Sequence, residues 1–192
     1  MLIKEVPRIQ PNTKNLAKYV LNKATRISGN IPVNMGDINE SANAIEADFN
    51  SRLTAKQKSN EMHYIVSFEE QHQDITDDKL IMIGNELVKR HFGDNRNFLL
   101  AVHRDTNNPH LHLVMENRDF DHKAFFKKDN YRALENLAQR LEKKYSLKNE
   151  KISESRNDPN PVRLNYASKQ YESRTGQESD EKKYKNELKG II

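Results

Sequence analysis

Apolar residues recur along the chain in two rhythms, and the switches between them mark its elements. Met1–Val6 alternates as a short strand and is closed by Pro7. Asn12 or Thr13 can cap a helix running to about Thr25, in which Leu16, Ala17, Val20, Leu21 and Ala24 form one apolar stripe with Tyr19 at its border. Ser28-Gly-Asn30 and Asn34-Met-Gly36 then break the chain, with Ile31-Pro-Val33 expected as an edge strand between them. A second helix is expected from Asn39 to about Lys56, carrying Ala42, Ile45, Ala47, Phe49 and Leu53. Met62–Phe68 returns to strand character. Thr76-Asp-Asp starts a third helix with acidic residues in its first turn, and Gly93 ends it. Two apolar strands follow, Phe98–His103 and His110–Asn117, joined by the polar loop Arg104–Pro109; Asn130–Tyr145 is a last amphipathic helix. The pattern predicts an α+β fold, a central antiparallel sheet with helices covering one face.

Beyond about Ser146 the apolar pattern collapses, with Pro159, Pro161 and charged runs near Asp180–Lys189. The expected organisation is a folded domain over residues 1–150 and a charged arm over 151–192, irregular or partly helical, which reads as the start of a longer chain. The whole 192-residue chain is polar, with 35% hydrophobic residues and a mean hydropathy of −0.97. Its net charge of +4 and pI near 9.1 are compatible with a nucleic-acid partner without requiring one. The absence of cysteine excludes disulfides, a thiol nucleophile and thiolate-bound zinc. No apolar run approaches the length of a membrane span, and the first residues lack a signal-peptide pattern, so no membrane insertion is expected.

The histidines change the picture. If the two strands around Arg104–Pro109 pair antiparallel, His103 lies opposite His110 and Ala101 opposite His112. His103, His110 and His112 then converge on one face, while Leu100, Val102, Leu111, Leu113 and Met115 take the other and can be core. A lone histidine on a strand is usually structural, but three beside small Ala101 suit a metal site with room for substrate. Spacing does not choose the metal: imidazoles suit zinc, copper or nickel, and phosphoryl chemistry often uses magnesium or manganese. A helix-border tyrosine such as Tyr19 can turn its hydroxyl to a cleft or simply complete a core.

His103-Arg-Asp-Thr-Asn-Asn-Pro-His-Leu-His112 resembles the third motif of plasmid relaxases, H-x-D-x-x-x-P-H-x-H, and more broadly the HUH endonucleases. Asn15-Leu-Ala-Lys-Tyr19-Val resembles the tyrosine motif of MOBP-class relaxases such as that of IncP-type plasmids. Met62–Phe68 resembles the strand between those motifs, and Tyr171–Ser179 a segment that follows the catalytic core. The resemblance implies a site- and strand-specific DNA endonuclease and strand transferase. Such an enzyme nicks one strand at an origin of transfer for conjugative mobilisation, linking its tyrosine to the 5′ phosphate and later rejoining the strand. Tyr19 would be the nucleophile, with His103, His110 and His112 holding a divalent cation, magnesium or manganese being expected. Asp105 matches the family's aspartate and would orient a histidine or take the tyrosine proton, although Asp-Thr-Asn-Asn-Pro is also ordinary turn chemistry. The family pattern has asparagine four residues after the last histidine, where this chain has Glu116 followed by Asn117. Strand parity puts Glu116 on the histidine face, as a supporting acid or fourth ligand.

The implied substrate is single-stranded or locally melted DNA at an origin of transfer, met in the bacterial cytoplasm together with accessory relaxosome proteins. Arg104, Lys123, Lys127 and Lys128 flank the hairpin and can reach phosphates, or belong to a solvated surface; Phe125 and Phe126 can stack on bases or be buried. Three other readings compete. A histidine-triad hydrolase would need a further alternate histidine where Val114 stands. An HUH replication initiator or transposase would usually carry its tyrosine after the histidines. A DNA-binding module with a structural metal would form no covalent adduct.

Overall fold

The computed structural model describes residues 1–6, 12–54, 60–126, 130–148 and 177–179. Their strands are β1 (Leu2–Glu5), β2 (Arg26–Gly29), β3 (Glu61–Ser67), β4 (Phe98–His103) and β5 (His110–Glu116). Their helices are α1 (Thr13–Asn22), α2 (Ile38–Asn50), α3 (Asp77–Leu87) and α4 (Asn130–Tyr145). Among the described residues the strands form one antiparallel sheet in the order β1-β3-β5-β4-β2. The hairpin β4–β5 has the register expected from the sequence, His103 opposite His110 and Ala101 opposite His112. The fold is thus α+β, with the histidine strand β5 at the centre of the sheet.

The sheet is covered on both faces, not one. Leu100, Val102, Leu111, Leu113 and Met115 pack with α3 and α4. Leu99, Ala101 and Val114, on the histidine side, pack with α1 and α2 through Leu16, Val20, Leu21, Ile45 and Phe49. Every residue of β5 is buried, which explains why its sequence is a nearly continuous apolar run broken by histidines. Side-chain caps set the helix starts: Asn12, Asp37 and Thr76 each accept a backbone N–H three residues on. After α3 the chain makes one π-helical turn, Val88–Phe92, before Gly93 ends the element as expected.

Boundaries moved in two places. The edge strand is Arg26–Gly29, not Ile31–Val33; it pairs with β4 while Ile31 turns into the α1/α2 core. Gly29 makes that pairing possible, because its φ of +145° is poorly open to other residues and an added Cβ would lie 2.3 Å from the Phe98 carbonyl oxygen. A break signal in the sequence was therefore the end of a strand. Helix α2 closes at Asn50 and leaves Leu53 outside it. The arm expected over 151–192 lies outside the described residues except for 177–179.

Gly29→Ala is expected to cost about 3 kcal/mol or more, because the clash with the Phe98 carbonyl adds to the backbone penalty and forces β2 away from β4. Gly93→Ala, whose added Cβ meets nothing within 4 Å, carries only the backbone penalty of its φ of 82° and ψ of 178°, about 1–3 kcal/mol. Urea unfolding of the two variants should show that order; equal losses would mean that β2 does not depend on this close approach.

Candidate metal centre and its tyrosine

Strand β4 delivers His103, and β5 delivers His110 and His112, all to the α1/α2 face. Each offers one nitrogen to a common point, the three lying within 4.8 Å of one another, and all three side chains are buried. Their other nitrogens show which atoms face inward. His103 Nε2 donates to the Val20 carbonyl at 2.7 Å. His112 Nδ1 lies 2.8 Å from His63 Nε2. His110 Nδ1 is 3.2 Å from Thr106 Oγ1 and 3.5 Å from the Asn108 carbonyl. That leaves His103 Nδ1, His110 Nε2 and His112 Nε2 for the centre. His103 Nδ1 and His112 Nε2 are buried without a hydrogen-bond partner, a costly condition that a bound cation would relieve.

The electrostatics point the same way. Burial holds the His112 imidazole down to about 3, with His103 and His63 adding to the effect. Burial also lowers His110. Both are therefore neutral at neutral pH, with lone pairs available to a metal. Three histidine ligands would add no negative charge, leaving a divalent cation its full charge, and would leave positions open on it. The residues fit a metal ion.

Tyr19 stands over this cluster. Its ring centroid is 5.4 Å from that of His112, edge to face, and 6.1 Å from that of His103. It is 51% exposed, so it lies at the mouth of the centre and not in the core. The stripe of α1 explains this: Leu16, Ala17, Val20 and Leu21 are buried, and Tyr19 falls at the edge of that face. Asp105 is also at the mouth. Its Oδ1 is 3.9 Å from His103 Nδ1 and 3.8 Å from His110 Nε2, the inward nitrogens. Asp105 therefore faces the centre; it does not orient a histidine through the outer nitrogen, where Val20, His63 and Thr106 already sit. Its Oδ2 accepts from Lys23 Nζ at 2.8 Å, which holds the carboxyl below and the amine above their ordinary ranges.

Other expected site residues lie elsewhere. Glu116 shares the histidine face but is four residues along β5 from His112, about 13 Å at the rise of a strand. It is fully buried and paired with Arg52 at 2.6 Å, so it is not a fourth ligand. Asn117 lines a pocket of about 370 Å³ with Glu5, Glu61, Tyr64, Phe125 and Phe126, away from the histidines. Arg104 is directed inward: its guanidinium binds Asp77 at 2.6 Å and the carbonyls of His72 and Ile75 at 2.6 and 2.7 Å. It ties the hairpin loop to the start of α3 and is poorly placed for a DNA phosphate. Lys123 is exposed, with Asp121 at 3.7 Å. Lys127 and Lys128 lie outside the described residues. Phe125 packs against the core, whereas Phe126 is 89% exposed.

The sequence reading passed over His63 and Lys23. Lys23 is four residues after Tyr19, one helical turn, and that spacing could have flagged it. His63 could be found only once the register of β3 against β5 was known.

The family model "Relaxase: MobA/VirD2-like, nuclease domain" matches residues 19–147. Among curated proteins no significant match was found. A solved structure described as "Molecular Basis of Vancomycin Resistance Transfer in Staphylococcus aureus" aligns with a TM-score of 0.45 at 14% identity, covering 71% of this chain and 87% of the other.

Glu116 makes stability depend on pH. Burial pushes its carboxyl up to about 7 against the pull of Arg52, from 4.5 in an open chain. The folded protein keeps this proton longer than the unfolded chain, so the contribution is complete below 4.5 and is lost as pH rises through about 7. Wild type should therefore lose up to about 3 kcal/mol relative to Glu116→Gln across that window. Urea unfolding at several pH values measures it; parallel stability curves would show that Glu116 does not titrate there.

Proposed function

This chain belongs to the relaxase family, as a MobA/VirD2-like nuclease domain, and we propose that it nicks one DNA strand at an origin of transfer with Tyr19 as nucleophile. The observation that carries the reading is the half-exposed Tyr19 ring standing 5.4 Å from His112 and 6.1 Å from His103, above two buried imidazole nitrogens without partners.

The chemistry follows from those residues. The Tyr19 oxygen attacks the scissile phosphorus, the bond from phosphorus to the 3′ oxygen breaks, and the electron pair leaves with that oxygen, which takes up a proton. The 5′ phosphate remains on Tyr19. Exchange of one phosphodiester for another is near balance, so a 3′ hydroxyl can reverse the step and rejoin the strand. A phenol with pKa near 10 is ionised in only about one molecule in a thousand at neutral pH, so it has to be activated. His103, His110 and His112 would hold a divalent cation, magnesium or manganese, whose charge stabilises the attacked phosphate and lowers the phenol's pKa. Asp105 is the nearby carboxylate for the tyrosine proton; the Lys23 ion pair keeps it ionised and makes it a mild base.

On this reading residues 1–150 are the catalytic domain and 151–192 an arm. The substrate is single-stranded or melted DNA in the bacterial cytoplasm, where accessory relaxosome proteins expose it for plasmid mobilisation. Phosphate contacts would come from the exposed lysines near the hairpin, Lys123 and, outside the described residues, Lys127 and Lys128. Among the described residues no helix is long and apolar enough to cross a membrane.

Purified protein with manganese should form a covalent complex with an oligonucleotide spanning the nick site of its own origin, visible as a shifted band on a denaturing gel. Tyr19→Phe should abolish the band while leaving binding of the oligonucleotide within about threefold, because only a transition-state interaction is removed. An adduct in the Phe variant, or peptide mapping to another tyrosine, would remove Tyr19 from the role. His112→Ala or a chelator should suppress cleavage in parallel. Full activity in either would undo the metal reading.

A further inference from the structure

We infer that His63 is a positioning residue, the partner that fixes the tautomer of His112 and so aims its lone pair at the centre. The inference rests on reading His103, His110 and His112 as cation ligands. In the β3–β5 register Ile65 opposes His112 and His63 opposes Val114, so His63 is a diagonal neighbour of His112 on the same face. The two rings stack with centroids 5.1 Å apart at 19°, and both are buried. His63 Nε2 and His112 Nδ1 are 2.8 Å apart.

Across that distance one nitrogen donates and the other accepts. If His112 accepted at Nδ1, its hydrogen would sit on Nε2, which is buried and has no partner to receive it. His112 therefore donates from Nδ1, His63 accepts at Nε2, and the hydrogen of His63 is on its own Nδ1. The other two histidines need no such partner choice. His103 faces a carbonyl, which can only accept, and His110 Nδ1 faces a threonine hydroxyl and a carbonyl. The Thr106 hydroxyl donates its own hydrogen to the Asn108 carbonyl at 2.8 Å, so it too accepts, whereas the partner of His112 is a ring whose role its tautomer decides. Outer partners of this kind typically change metal affinity by about 10- to 100-fold when removed.

Long-range proton–nitrogen NMR on the metal-free protein at neutral pH reads the tautomer directly. Wild-type His112 should show hydrogen on Nδ1. His63→Phe should move it toward Nε2 and weaken manganese binding, measured by calorimetry, by about 10-fold or more. His63→Gln, whose Oε1 can occupy the place of Nε2, should restore both; the shorter His63→Asn should restore neither. If the Phe variant keeps the hydrogen on Nδ1 with wild-type affinity, His63 does not set the tautomer. Should the Phe variant not fold, Gln and Asn decide, and identical behaviour of those two also overturns the inference. Wild type that binds no manganese would sink the three-histidine reading instead, while the NMR comparison still reports on His63.

Discussion

The centre of this molecule depends on the register of a single antiparallel pair. With His103 opposite His110 and Ala101 opposite His112, three imidazoles share a face and an alanine leaves the space between them. A slip of one residue would send the histidines of one strand into the apolar layer under α3 and α4 and bring Leu111 and Leu113 to the other side. Burial on both faces makes that slip costly, since each face must match its own helices. The two cores are thus the reason that the polar cluster stays in one arrangement.

Much of this could be read from the chain itself. The strand lengths, the caps at Asn12 and Thr76, the hairpin register and the convergence of the histidines follow from local pattern and from the period of two along a strand. Sheet order and helix placement do not. Histidines between apolar residues look like the alternation of a half-exposed sheet, so the sequence suggested helices on one side. The covering of the second face by α1 and α2 appears only when Leu99, Ala101 and Val114 are seen packed against them. Glu116 shows the same limit. Parity assigned it to the correct face, but distance along the strand and the facing Arg52 decide what it does there. Arg104 and Lys23 show it for charge: both are cations near the hairpin, and only tertiary pairing separates one bound to the start of α3 from one reaching into the site.

The charged groups at the mouth form a small graded set. Asp105 presents one oxygen to the inward nitrogens of two histidines and the other to Lys23. Lys23 is the residue that closes the helix carrying Tyr19, so helix and hairpin are joined across the mouth by an exposed ion pair. An exposed pair of this kind contributes little to stability, on the order of 1 kcal/mol at most. Its value is positional, holding an anion near the three histidines without filling the space above them.

The contact between His103 and Val20 has a further consequence. Val20 lies in the last turn of α1, where carbonyls have no partner within the helix, so the imidazole N–H serves as a C-terminal cap for the helix that carries Tyr19. A cation drawing on the Nδ1 lone pair of His103 polarises the ring and strengthens that N–H toward the negative end of the helix dipole. If His103, His110 and His112 hold a cation as proposed, its occupancy and the firmness of the tyrosine's own helix would be linked thermodynamically. Ions that bind would stiffen the helix that presents Tyr19, and a frayed α1 would in turn weaken the hold on the ion.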